Sequence, residues 1–498
     1  MSSTSTSSFT PLAPAKKNVI VDGVLRYPST GSKALIVGAG VAGMMAALEC
    51  WRKGIDVELI EKAASNAPFG DGVLIGPSAF TTLHHYPSML KEYDEISHDV
   101  YMTFAGRDGT PIIPPQELEW NREGAAVIGA YPLRVKSLLG RPELAELLLN
   151  QCKRLGIPIT YGITIEKYEE DIVKKNATAT TPDGRRFTAD VVIAADGLGT
   201  KSHALTLGHP VRAFKTGYVV YRVMYSTDRL KDAPVSRDFV RNLERPVSFA
   251  FIANKVHCIL AFTKQNVIIA ITTEEEDDLA TTDTWSTPVS NETVYSLLPE
   301  PDTWSPLIKE AILHAPERSI VKWSLCFRNP QPCWTSPAGH VIQVGDSAHS
   351  FLPTSANGAT QALEDALSLP ECLRLGGKEN LGKATKVHEL LRYQRVSLIQ
   401  HVGFVNMQDI HIEANKDERK LPPLLMGKWL WAHDPEKYAS ENFRKAYAHL
   451  ETGSPFENTN LPLGHKWSDW TVEEELAKQK AGVLTALELK NNGDWSIS

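Results

Sequence analysis

The chain has 498 residues, 42% hydrophobic and 22% charged, with 52 Lys and Arg against 59 Asp and Glu and a formal net charge of −7. This balance describes an ordinary globular protein of more than one domain and excludes a fibrous or disordered chain, while the lack of any Lys/Arg stripe leaves no footprint for nucleic acid. The longest uncharged apolar stretch, residues 34–48, falls short of the roughly 20 residues of a transmembrane span, and six cysteines scattered without CxxC spacing read as reduced thiols of a cytoplasmic protein, with no metal site expected.

Residues 1–30, rich in Ser, Thr and Pro, are expected to form a flexible tail. From residue 33 the pattern is strand, glycine turn, helix and strand, with residues 34–37 apolar, 42–51 rich in Ala, Met and Leu, and 55–60 alternating. An amphipathic helix follows over 143–153, then short strands near 159–161 and 177–181, a Pro182-Asp183-Gly184 turn, and an apolar strand over 187–195. Between 211 and 273 strands repeat, at 218–224, 247–252, 256–262 and 267–271, so a separate sheet is expected there. Nucleotide-fold spacing returns at 340–344, before long helices over 359–373 and 386–406 and a final helix near 472–489. The reading is an α/β chain with a Rossmann-like domain that is discontinuous in sequence. Its parts span 31–210 and 321–410, around an inserted β-sheet domain at 211–320 that also draws elements from near 95–135, and a mostly helical extension covers 411–498.

Gly38-Ala39-Gly40-Val41-Ala42-Gly43 lies between a predicted strand and a predicted helix, the context that gives a GxGxxG string meaning. Gly38 permits the tight turn, Gly40 lets the backbone approach a pyrophosphate, and Gly43 lets the helix pack on the sheet, with its N-terminal N–H groups turned to the phosphates. Glu61, 23 residues after Gly38 at the end of the next strand, is placed to accept from ribose hydroxyls, which favours the adenosine of FAD or NAD over that of NADP.

Two further pairs follow strands: Asp196-Gly197 after 189–195, and Gly345-Asp346 after 340–344, with Pro353 and Asn357-Gly358 beyond. In this order and at these separations the three sites resemble the fingerprints of group A FAD-dependent monooxygenases, the p-hydroxybenzoate hydroxylase-fold family, with the match nearest its fungal, salicylate hydroxylase-like branch. The resemblance covers residues 34–400. It implies that Asp196 belongs to the FAD site, that Asp346 accepts from the ribityl chain, that Arg141 lies near the FAD phosphates, that Gly72 runs along the flavin, and that Pro353 sits beside the ring. It also implies that Gly358 and Ala359 open a helix whose N–H groups face the pyrimidine side, where fixed donors stabilise negative charge. The chain departs from the family at Ala356-Asn357-Gly358, where Gly-Gln-Gly is usual, and at Thr200 and His203, where Ser and Arg are usual.

The resemblance further implies that FAD, reduced by NADPH or NADH as a transient donor, binds molecular oxygen at C4a and hydroxylates a small aromatic or polycyclic substrate. For a phenol, Arg222 is the candidate that lowers the phenol pKa and fixes its orientation, since arginine is charged at any working pH. Strand alternation puts Tyr218 and Val220 on the face of Arg222 and Tyr221 on the other, so Tyr218 is the companion candidate. His84, His85 and His257 are candidates for a proton shuttle, each weighed against a structural role, and His349 reads as a local structural residue. Epoxidation, Baeyer–Villiger oxidation of a non-phenolic compound, or FAD binding without turnover remain alternatives, and the oligomeric state is open.

Overall fold

Alternation in the strand Lys33–Val37 sets the two faces of the central sheet: Ala34 and Ile36 pack into the largest core, beneath the helix Val41–Arg52, while Leu35 and Val37 pack on the opposite side. The computed structural model describes residues 17–65, 70, 72–125, 134–211, 213–274, 287–416 and 425–496. Lys33–Val37 is the middle of a five-stranded sheet in the order Val341–Gln343, Val191–Ala194, Lys33–Val37, Asp56–Ile60, Ile159–Thr160, all parallel. Helices Val41–Arg52, Arg141–Arg154 and Gly358–Gly376 cover one face. A three-stranded antiparallel sheet, Lys167–Asp171, Asn176–Thr180 and Arg186–Ala189, covers the other through Tyr168, Ala177 and Ala179. The sheet is fully covered, as parallel sheets are.

The apolar run expected as one strand over 187–195 is two. It breaks at Asp190, whose carboxylate accepts from the Lys33 backbone N–H at 2.7 Å, and the halves pair into different sheets. Residues 19–26, expected within a flexible tail, form a hairpin, Val19–Val21 with Val24–Arg26, around an Asp22-Gly23 turn in which both residues have positive φ. Val24 is fully buried in the main core; residues 1–16 lie outside those described.

The second sheet has eight strands in the order Thr287–Val289, Ile320–Phe327, Phe214–Ser226, Asn266–Glu274, Val256–Phe262, Val247–Ala253, Tyr101–Gly106, Pro111–Glu117. On its long strand Val219, Tyr221, Val223 and Tyr225 enter a core of their own, while Met224 packs against the main core and Val220 against Leu325, Leu352 and Phe404. The even-numbered face therefore looks toward the parallel-sheet domain. A short pair, Gly72–Leu74 with Leu138–Gly140, lies at this junction: a Cβ on Gly72 would meet Ile268 Cδ1 at 2.5 Å, and one on Gly140 would meet Met224 Cε at 2.9 Å.

Beyond Gly358–Gly376 a 36-residue helix, Leu381–Lys416, leads to helices Lys428–Trp431, Pro435–Thr452, Val472–Lys480 and Thr485–Lys490. The single helix expected near 472–489 is interrupted at Gly482, which takes φ +76°. Trp429, Trp467 and Trp495 pack with Leu398 and Leu461, whereas Trp470 stacks on His401 at 4.4 Å and joins the cluster of Val220 and Leu352. No described helix is long and apolar enough to cross a membrane.

Candidate active site

The three glycine-containing turns meet at the ends of neighbouring parallel strands. Gly38 has φ +107°, and a Cβ on it would lie 2.3 Å from the Ala195 carbonyl oxygen, so the first turn sits directly on the second. A Cβ on Gly345 would lie 3.0 Å from Ala42 Cβ and 3.3 Å from Ala362 Cβ, so the third turn is wedged between two helices. The Gly197 N–H donates to Ser347 Oγ at 2.8 Å, joining the second turn to the third.

Each glycine of the first turn has a separate physical reason. A Cβ on Gly43 would stand 1.9 Å from the Gly38 carbonyl oxygen, so only glycine lets the helix come this near the turn. Gly40 is different: a Cβ there meets no protein atom within 4 Å. It is the N-cap of the Val41–Arg52 helix, no side chain caps that end, and its outward side is open to a ligand. Glu61 braces the turn, its Oε2 accepting from the Ala39 N–H at 2.7 Å and its Oε1 from the Ala63 N–H at 2.8 Å.

Asp196 points inward. Its carboxylate accepts from Tyr168 Oη at 2.6 Å and Ser347 Oγ at 3.1 Å, and burial raises its pKa against those hydrogen bonds. It thus holds the second and third turns together. Asp346 is solvent-accessible, yet protein crowds it closely enough that desolvation raises its pKa, opposed by the charges of His349, Arg141 and Arg328. Arg141 opens its helix beside Gly70, where a Cβ would lie 3.0 Å from Arg141 Cδ. Pro353 begins a short 3-10 turn ending in Ala356, which takes the left-handed φ of +50° where glycine would be unstrained. The helix then starts at Gly358 and Ala359, and Thr360 Oγ1 accepts from the Gly76 N–H at 3.0 Å, tying the segment after Gly72 to this helix.

Arg222 lies on the strand face turned to this domain, with its guanidinium 4.5 Å from the Trp323 ring centre, and Tyr218 is half-buried on the same face. His257 is on a strand of the same sheet, whereas His84 and His85 lie together in a 3-10 turn, rings 3.9 Å apart, and burial pushes His85 down to about 4. His349 is internal, its Nε2 2.6 Å from Asp365.

Arg328 has a role that its sequence pattern did not reveal. It is only 5% exposed, its Nη2 reaches the Leu198 carbonyl of the second turn, and its Nε and Nη1 have no protein acceptor. Desolvation lowers its pKa while Asp346 raises it. A buried guanidinium so under-satisfied is costly unless an anion meets it. With the open side of Gly40 and the clustered turns, the residues present fit a dinucleotide such as FAD.

Residues 32–378 match the family described as FAD binding domain. The chain is 38% identical over 488 residues to the FAD-dependent monooxygenase fsr3 of Gibberella fujikuroi, covering 95% of this chain and 91% of that protein. It is 37% identical over 499 residues to the FAD-dependent monooxygenase mdpD of Emericella nidulans, with 95% and 92% covered. The chain belongs to the FAD-dependent monooxygenases. Among solved structures this monooxygenase is similar to CtdE in complex with FAD and a substrate, with a TM-score of 0.75 and 25% identity over 84% of this chain and 100% of that one. It shares its fold with a salicylate hydroxylase substrate complex at a TM-score of 0.65 and 21% identity, with 84% and 98% covered. The α/β architecture with a parallel FAD-binding sheet follows from both.

Proposed function

We propose that this monooxygenase hydroxylates a phenolic or polycyclic aromatic compound of fungal secondary metabolism, with NADPH or NADH as transient electron donor and molecular oxygen as co-substrate. Bound FAD supplies the redox and oxygen-activating chemistry. The chain's own task is to hold the substrate, exclude water and favour the phenolate, because loss of the phenolic proton makes the ring nucleophilic.

The observation that carries this reading is the position of Arg222. It shares the face of Tyr218, Val220 and Met224, the face against which Gly72 and Gly140 pack through Ile268 and Met224. The guanidinium lies 4.5 Å from the Trp323 ring centre, a cation–π contact that anchors a permanent positive charge on this face. That charge lowers the pKa of a neighbouring phenol. Leu352, the residue before Pro353, packs in the cluster around Val220, which supports a ring-side position for Pro353. In this arrangement Gly72 and Pro353 would line the flavin, Gly358 and Ala359 would offer N–H groups to its pyrimidine side, and Arg141 and Asp346 would hold the phosphate and ribityl portions.

The test is Arg222→Met, assayed with a panel of phenols for nicotinamide oxidation and for product gaining one oxygen atom. The expected result is a loss of coupling of about tenfold or more, with NADPH or NADH oxidised and little product formed. Unchanged coupling removes the phenolate role, and turnover of alkenes or ketones in its place assigns the scaffold to epoxidation or Baeyer–Villiger oxidation.

A further inference from the structure

Arg395 is fully buried on the Leu381–Lys416 helix, and each of its five N–H groups has an acceptor. Nε and one Nη2 hydrogen hold the two oxygens of Glu364, at 2.9 and 3.0 Å. The other Nη2 hydrogen goes to the Leu430 carbonyl at 2.7 Å, and Nη1 donates to the carbonyls of Trp429 at 2.9 Å and Asn460 at 3.1 Å. One guanidinium therefore reads three backbone carbonyls of the C-terminal region and one carboxylate of the Gly358–Gly376 helix.

Glu364 and its neighbour Asp365 continue the connection into the FAD site. Glu364 also accepts from Ser78 Oγ at 2.7 Å and from Arg392, whose Nε donates to Asp365 at 2.9 Å. Asp365 in turn accepts from the Gly345 N–H at 3.0 Å and pairs with His349. Burial would raise both carboxyls, yet the adjoining positive groups hold them well below the usual range, so the cluster is ionised. A second attachment acts on the other helix of the site. Glu436, in the first turn of Pro435–Thr452, pairs with Arg52 and Lys53 at the far end of the Val41–Arg52 helix, and Lys53 pairs with Glu371 at 2.7 Å.

We propose that residues 428–460 form a clamp, and that Arg395 and Glu436 are positioning residues through which its docking and FAD binding strengthen each other. The clamp grips the Val41–Arg52 helix at the end opposite the Gly38–Gly43 turn, and the Gly358–Gly376 helix at Glu364, within about two turns of its Gly358 start. Fixed ion pairs hold those helices in one register, and that register places both N-termini and the Gly345 turn. Coupling of this kind is reciprocal: whatever the docked clamp adds to FAD affinity, FAD adds to clamp docking.

Reciprocity supplies the test. Hydrogen exchange is followed across 428–460 in the apo and FAD-loaded protein, alongside FAD dissociation constants for wild type, Arg395→Lys and Glu436→Gln. Lysine keeps the charge but cannot reproduce the five-donor fork. FAD is expected to slow exchange in the wild-type clamp, and Arg395→Lys to weaken FAD binding by about tenfold and remove that slowing. Glu436→Gln, altering a partly exposed carboxylate, gives the same effects in smaller measure and carries the test if Arg395→Lys does not fold. Exchange over 428–460 that is indifferent to FAD in the wild type overturns the proposal. So do variants that lose thermal stability while retaining wild-type FAD affinity.

Discussion

Gly40 and Gly43 belong to the same turn and are separated by three positions, yet the structure predicts opposite outcomes when each is replaced by alanine. In Gly43→Ala the new Cβ stands 1.9 Å from the Gly38 carbonyl oxygen, and relieving that overlap requires the helix to retreat by roughly 1 Å. Overpacking of this size costs about 1–3 kcal/mol of apo stability, and the retreat carries the helix N-terminus away from the phosphates. In Gly40→Ala the Cβ meets nothing within 4 Å, so apo stability changes only by the loss of a glycine N-cap, under ~1 kcal/mol. The Cβ instead occupies the side from which FAD approaches. If half of the first variant's cost, or one lost phosphate contact in the second, appears in binding, FAD affinity falls about two- to tenfold in the first case and about tenfold in the second. Urea unfolding of the apo protein and quenching of flavin fluorescence on titration separate the two quantities. The expected pattern is the larger stability loss in Gly43→Ala and an affinity loss in both. Wild-type FAD affinity in Gly40→Ala would refute the placement of the dinucleotide against this turn, however the other variant behaved.

Two other perturbations test the charges around the site. Arg328 is buried with two nitrogens lacking acceptors, so Arg328→Met is expected to stabilise the apo protein by about 1–3 kcal/mol while weakening FAD or nicotinamide nucleotide binding; lower apo stability in urea would show that the guanidinium is internally compensated. His388 and His433 are buried beside the Arg392 and Arg395 cluster, and burial lowers both imidazoles, His388 to about 3. Below the unfolded value of ~6.5 the folded state binds fewer protons than the unfolded, so stability is full above that pH and falls as pH drops toward 3, by up to ~1.4 kcal/mol per pH unit for each imidazole. His388→Asn should flatten the slope by that amount in urea titrations taken between about pH 7 and 5, and an unchanged slope would place the proton uptake elsewhere.

Local signals carried most of what the sequence revealed. The first turn was legible because strand, glycines and helix lie within one short stretch, and the face of Arg222 was legible because strand alternation is a local property. The hairpin at residues 19–26 had a signal too, Asp22-Gly23 between the β-branched run 19–21 and Val24-Leu25, hidden by the Ser- and Pro-rich composition before it. The break at Asp190 had only the lone charge as a signal, and only pairing with distant strands shows that two sheets share residues 187–195. The inward turn of Asp196 and the isolation of Arg328 depend on Tyr168, Ser347 and Leu198, partners that no spacing rule brings together.

The order of strands in the parallel sheet bears on how the protein is made. Val191–Ala194 needs Val341–Gln343 as its outer neighbour, and the strand that completes the sheet is synthesised about 150 residues later. A nascent chain emerging from the ribosome therefore exposes the edge of an unfinished parallel sheet while six of the eight strands of the second sheet are translated, an arrangement that folds slowly and invites aggregation. Expression temperature and chaperone supply should govern the yield of this enzyme more than the stability of its finished fold, and a fragment ending before residue 341 should accumulate as insoluble protein.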